Sequence, residues 1–206
     1  MEVVENKGGV KLNSDIKIFT LSGKAEHGKN FTADLIQGYY ETKYNKRVCQ
    51  LANGNYLKFL SKLAGWNGNK DEEGREFLQQ FGTEYIRNTI NDDFWVDEII
   101  QEINILKKYY DIFLITDTRF PNEIHKLNDT FGIENVVSIH VYRLNEDSSI
   151  YVSNLTKEQL NHPSETALNN FEFDEDLINQ SESYLRDDVS DMVDMYEKYW
   201  SEVNND

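Results

Sequence analysis

Ten residues, Gly23-Lys24-Ala25-Glu26-His27-Gly28-Lys29-Asn30-Phe31-Thr32, place Gly-x-x-x-x-Gly-Lys directly after an apolar run, and no other stretch limits the fold so strongly. Ile16, Ile18, Phe19 and Leu21 read as a buried strand. Phe31, Ala33, Leu35 and Ile36 open a helical apolar pattern, so the loop falls where strand gives way to helix. Backbone N–H groups in that setting cradle phosphate. The glycines permit the turn, the helix N-terminus adds roughly half a positive charge, and Lys29 reaches terminal phosphates. The plainer alternative is a glycine-rich surface turn before a lysine-bearing helix. One position departs from the pattern: Asn30 stands where Ser or Thr usually supplies a hydroxyl for magnesium.

The rest of the chain extends the strand–loop–helix start into an α/β alternation. A second strand is expected near 47–52, and Tyr56, Leu57, Phe59, Leu60 and Leu63 suggest a helix. A loop at 67–70 precedes another helix, with Phe77, Leu78 and Phe81, expected to end near Gly82. A longer helix runs from about Phe94 to Lys108, and Asp111–Asp117 is an apolar strand ending in a carboxylate. Pro121 fits the first turn of a helix through about Phe131; Val136–Tyr142 and Asp176–Asn179 supply two more strands, and a final helix starts at Ser181–Glu182. Residues 1–15 read as a polar extension, 16–206 as one domain, and 144–165 as a candidate mobile flap.

At 206 residues, with 39% apolar residues and two prolines, the chain suits one globule with a sizeable core. A net charge of −16 repels a polyphosphate backbone, which argues against nonspecific nucleic-acid binding and against an anionic membrane. Any anionic ligand must therefore be held by a local cluster of cations and amides. Cys49, in an apolar-leaning run, reads as a small buried hydrophobe. With no secretory signal and no stretch of about 18 apolar residues, the expected address is the cytoplasm.

Asp117 ends a buried strand, where an acid in such a fold approaches the nucleotide's magnesium or caps the following turn. Arg119, two residues on, projects toward the crevice or pairs with Glu123. Arg75 and Gln79 share a helix face, as do Thr83 and Arg87. An arginine fork binds a phosphate monoester bidentately, so Arg87 and Arg119 together suit an acceptor phosphate. Trp66, Tyr85 and Trp95 either stack on a base or belong to the core.

Gly23–Thr32, Arg75-Glu-Phe-Leu-Gln-Gln-Phe-Gly-Thr-Glu-Tyr-Ile-Arg87 with Phe94-Trp95-Val96, Asp117-Thr-Arg-Phe-Pro-Asn-Glu123, His162-Pro-Ser-Glu165 and Ile178-Asn179 occur in an order that resembles the phage-type deoxynucleoside monophosphate kinases, over most of 16–198. The resemblance implies a P-loop fold like that of nucleoside monophosphate kinases, with a central parallel sheet flanked by helices. It also implies ATP with Mg2+ as donor and a deoxynucleoside monophosphate as acceptor. Relatives often read Gly-Lys-Asp-Thr, whereas Lys29 is followed here by Asn30-Phe31, and Thr32 lies one position too late to replace the hydroxyl.

The expected activity is transfer of the γ-phosphoryl group of ATP to a deoxynucleoside 5′-monophosphate. Lys29 and the loop amides of 23–32 would hold the donor, Asp117 the metal, and Arg87 and Arg119 the acceptor phosphate, with Arg143 closing over the transferring group. Arg75, Gln79, Trp95 and Glu165 complete the expected substrate site, with no role assigned to His162. A homodimer stays open. Two rivals remain: a nucleotide-binding or regulatory protein without turnover, and a kinase acting on a hydroxymethylated base in phage DNA, against which the acidic charge argues.

Overall fold

The structure is a computed structural model that describes residues 16–203; the polar extension expected at 1–15 lies outside the described residues. Five parallel strands form the sheet: β1 (Lys17–Ser22), β2 (Val48–Leu51), β3 (Ile112–Ile115), β4 (Val136–Arg143) and β5 (Glu175–Asn179), in the order β2-β3-β1-β4-β5. β1 is central, paired with β3 through Lys17↔Ile112 and with β4 through Ile18↔Val136. Its six residues are all buried, as expected for a strand covered on both faces.

Helices cover both faces. On one, α1 (Lys29–Lys43) and α8 (Glu182–Val203) enclose a core containing Phe19, Leu21, Ile36, Tyr40, Val189 and Trp200. On the other, α4 (Phe94–Leu106) and α5 (Pro121–Phe131) pack Ile99, Ile103 and Leu127 against Ile18, Phe113 and Ile115. Such a doubly covered sheet places its ligand crevice outside the carboxyl ends of the strands, where order reverses beside β1. Those ends are the loop after Ser22, Ala52 after β2, Thr116–Asp117 after β3, Arg143 in β4 and Asn179 in β5.

Helices α2 (Asn53–Leu63) and α3 (Glu72–Gln79) form the opposite wall. The helix expected to end near Gly82 does not end there. It continues from α3 as a π-helix over Gln80–Ile90. Gly82 acts as a packing point instead of a stop: a Cβ there would meet Leu57 of α2 at 3.1 Å, and its carbonyl accepts from Trp95 Nε1 at 3.0 Å.

Within 144–165, Leu144 bridges Ile150, and the Tyr151 amide donates to Arg143 O at 2.9 Å. Two short helices follow, α6 (Lys157–Asn161), capped by Thr156, and α7 (Pro163–Thr166), capped by His162. Gln159 is buried and donates to Glu72 O, tying the segment to α3.

Candidate functional site

Between Ser22 and Lys29 the chain makes the turn that the two glycines require. Gly28, at φ 98°, caps α1, and a Cβ there would lie 2.3 Å from Asn179 Nδ2. Gly23, at φ 142°, leaves no room for a Cβ beside the Val141 carbonyl. The loop is therefore pressed against β4 and β5, and Asn179 also donates to His27 O at 3.1 Å. His27 is buried, and burial lowers its pKa. Its Nδ1 accepts from the Arg143 amide at 3.3 Å while Nε2 faces Tyr151 O at 3.1 Å, a pattern that fits a neutral ring carrying its proton on Nε2.

Lys29 is buried and folded back on its own loop, donating to Gly23 O at 2.8 Å and Lys24 O at 2.9 Å. Burial, reinforced by Arg119 and opposed by Glu165 and Asp117, pulls its ammonium down to about 7. Asn30 is exposed and lines the cavity, whereas Thr32 is buried with its hydroxyl donating to Gly28 O at 3.2 Å. That hydroxyl is bound in the first turn of α1, and Thr32 does not line the cavity. Phe31 packs against the α1–α8 core.

The loop opens on one cavity of about 910 Å³, a size suited to small-molecule ligands. Lys29, Arg75, Gln79, Arg87, Trp95, Asp117, Arg119, Arg143 and Glu165 all line it together with Ala25, Glu26, Gly28, Asn30 and Phe31 of the loop, whereas Gly23, Lys24, His27 and Thr32 of the loop, His162 and the aromatics Trp66 and Tyr85 do not. Seven cationic side chains against five carboxylates give the lining a positive surplus, although the whole chain carries −16.

Several of these groups already have protein partners. The Asp117 carboxylate accepts from the Asn53 amide at 2.9 Å and the Gly54 amide at 2.6 Å, so it caps α2 and not the turn that follows it in sequence. Arg87 is buried, with Nη1 3.4 Å from Glu123 Oε1, Nη2 donating to Asn122 at 2.8 Å and its guanidinium 3.7 Å from the Phe120 ring centre. Glu123 also accepts the Arg119 and Phe120 amides at the start of α5; burial pushes its carboxyl up, against the pull of those donors and of Arg87. The ion pair open to Arg119 is thus not with Glu123. Its guanidinium donates to Glu165 Oε1 at 2.6 Å, and Glu165 Oε2 accepts the Ala25 amide of the loop at 3.2 Å. Lys24 donates to the Glu165 carbonyl and to Asn169.

Arg143 stacks 4.1 Å from the Tyr151 ring and donates to Glu26 O at 3.2 Å, while Tyr151 donates to the Glu26 carboxylate at 2.9 Å. His162 bridges Glu84 and Ser164, which links the π-helix to α7. Sequence reasoning missed Lys58 and Lys70, both in the lining. The signal was the Asn53-Gly54 pair after β2: a small residue there lets Asp117 reach the start of α2, and Lys58 follows one helical turn later.

A parallel sheet ordered 2-3-1-4-5, with a Gly-x-x-x-x-Gly-Lys loop between its central strand and α1, defines a P-loop nucleotide kinase fold. The family model described as deoxynucleotide monophosphate kinase matches residues 55–180, and the chain belongs to that family. The matched span begins in α2 and leaves the phosphate loop outside it. No curated protein matches the chain. Among solved structures, the crystal structure of APE1195 is 13% identical with a TM-score of 0.49, covering 91% of this chain and 98% of its own. The Mycobacterium tuberculosis APS kinase CysC is 12% identical with a TM-score of 0.47, covering 89% and 98% respectively. Among the described residues, no helix is long and apolar enough to cross a membrane.

Proposed function

We propose that this chain transfers the γ-phosphoryl group of ATP to a deoxynucleoside 5′-monophosphate. The observation that carries the reading is one cavity, positive in an acidic protein, with the phosphate loop on one wall and the family-matched segment on the other. Phosphoryl transfer needs mainly positioning and charge neutralisation, which such a lining supplies without a strong base.

The loop amides of residues 23–32 hold the β- and γ-phosphates, and Lys29 exchanges its two loop carbonyls for phosphate oxygens. Arg119, released from Glu165, bridges toward the acceptor phosphate, with Arg75 and Gln79 on the facing helix. Arg87 fixes the floor beneath them through Glu123, and Trp95 forms the wall for the base. Arg143, held on Tyr151, stands over the loop where it meets the transferring group.

The residues present fit magnesium in its usual habit, one or two carboxylates with retained waters and phosphate oxygens. Among the described residues there is no cluster of three or more His, Cys, Asp or Glu side chains that could hold a metal ion. Asp117, with two amides already on its oxygens, and the exposed amide of Asn30 would hold the ion through its waters. The ion supplies charge neutralisation on the donor phosphates.

One observation favours a second reading, a nucleotide-binding protein without turnover: Asn30 replaces the usual hydroxyl, and the Thr32 hydroxyl is committed to Gly28 O. An ADP-release screen over ribo- and deoxynucleoside monophosphates, including modified pyrimidines, separates the two. Turnover with a deoxynucleoside monophosphate is expected. ATP binding with no ADP release for any acceptor would replace the kinase reading with the binding one.

A further inference from the structure

We propose that Lys58, Lys70 and Arg75 form the subsite that takes the acceptor's phosphate dianion, in the place that Arg87 was expected to fill. The inference rests on the kinase reading above. Three separate elements supply the cations: α2 carries Lys58, the loop before α3 carries Lys70, and α3 carries Arg75. All three line the cavity.

Their positions are built. Asp117 holds the first two amides of α2, which anchors the helix to the end of β3. Lys58 lies four residues after Gly54 and shares its helix face. A Cβ placed on Gly54 would be 2.7 Å from Asp117 Oδ2 and 3.9 Å from Lys58 Nζ, so the ammonium and the carboxylate stand against the same point. The loop bearing Lys70 is tied by Trp66 Nε1 to Asn69 O at 2.9 Å and by Arg75 Nε to Lys70 O at 3.1 Å. Burial and the charges of Lys58 and Arg75 depress the Lys70 pKa, as mutual proximity requires.

No hydrogen bond or ion pair engages the Lys58 or Lys70 ammonium among the described residues, and the Arg75 contact uses only Nε, which leaves both of its terminal nitrogens to a ligand. Arg87, by contrast, has its guanidinium on Glu123, Asn122 and Phe120. Three cations gathered near the single Asp117 carboxylate repel one another, and a phosphate monoester relieves that repulsion. The donor phosphates belong at the loop across the cavity, so this cluster faces the second substrate.

The test compares wild type with Lys58→Gln, Lys70→Gln and the charge-preserving Lys58→Arg and Lys70→Arg. KM is read for ATP and for each of the four common deoxynucleoside monophosphates, and monophosphate binding by calorimetry. Each Gln variant is expected to raise acceptor KM and Kd roughly tenfold or more, with ATP KM within about twofold and the Arg variants near wild type. Thermal unfolding of each variant checks the fold, and Lys58→Met or Lys70→Met, which keeps an aliphatic stem without the charge, replaces a Gln variant that does not fold. Wild-type turnover with acceptor KM unchanged in both Gln variants, or ATP KM raised equally, overturns the subsite and leaves the kinase reading standing. Monophosphate binding that weakens in the Gln variants without any wild-type turnover supports the subsite and overturns the kinase reading. Wild type that neither binds nor turns over any monophosphate overturns both.

Discussion

Arg119 and Glu165 are joined at 2.6 Å, and the other oxygen of the same carboxylate accepts the Ala25 amide of the phosphate loop at 3.2 Å. One carboxylate thus occupies two donors that the proposed function assigns to phosphate. Glu165→Gln keeps the shape while removing the charge that competes with phosphate. ATP affinity measured by calorimetry should rise severalfold in this variant, and stability without nucleotide should fall by about 1–3 kcal/mol through the weakened charge-assisted contacts. A weaker ATP complex would show that Glu165 supports the bound state instead of competing with it.

Arg87→Ala and Arg119→Ala should separate cleanly. Removing Arg87 leaves Glu123 buried with its cation gone, so chemical denaturation should report a loss of about 3–5 kcal/mol. Removing Arg119 takes away a partly exposed guanidinium, and the larger effect should be a rise in acceptor KM. Equal stability losses would show that the Arg87 pair contributes no more than the outer one.

Under the proposed function, Lys29→Met should reduce turnover at least about a hundredfold, because that reading places the Lys29 charge on the donor phosphates. The fold should survive, because the ammonium's partners are carbonyls of its own loop. ADP release near wild type in a folded variant would remove Lys29 from the mechanism.

The depressed Lys29 pKa also sets a pH dependence. The unfolded lysine titrates near 10.5 and the folded one at about 7, so between these values the unfolded state binds more protons. Stability contributed by this residue therefore rises with pH across that window, and the cost of burying the charged amine is greatest below it. The stability difference between wild type and Lys29→Met should shift in favour of wild type from pH 7 to 10. Phosphate favours the charged amine, so ATP binding above pH 7 should take up a proton, visible as a buffer-dependent calorimetric enthalpy.

The phosphate loop, the β3 strand end and α5 were legible because each couples a period to a punctuation residue: apolar run to Gly23, strand to Asp117, Pro121 to the first helical turn. The partners of the charged groups were not. Asp117 reaches the amides of Asn53 and Gly54, and Arg119 reaches Glu165, across separations that spacing rules cannot see. Arg87 and Arg119 read alike as phosphate ligands in sequence. Only packing shows that one is enclosed by Glu123, Asn122 and Phe120 while the other opens on the loop.

The π-helix of residues 80–90 has its own consequence for how this protein tolerates change. A wide helix is an α-helix that has absorbed extra residues without looping them out. Deleting one residue between Gln80 and Gly82 would let the segment narrow, yet would turn the Thr83 and Arg87 that follow by about 100° relative to α3. A scan of substitutions would never reveal this. The specification lies in how many residues the segment contains, and a length variant is the mutation to which it is most sensitive.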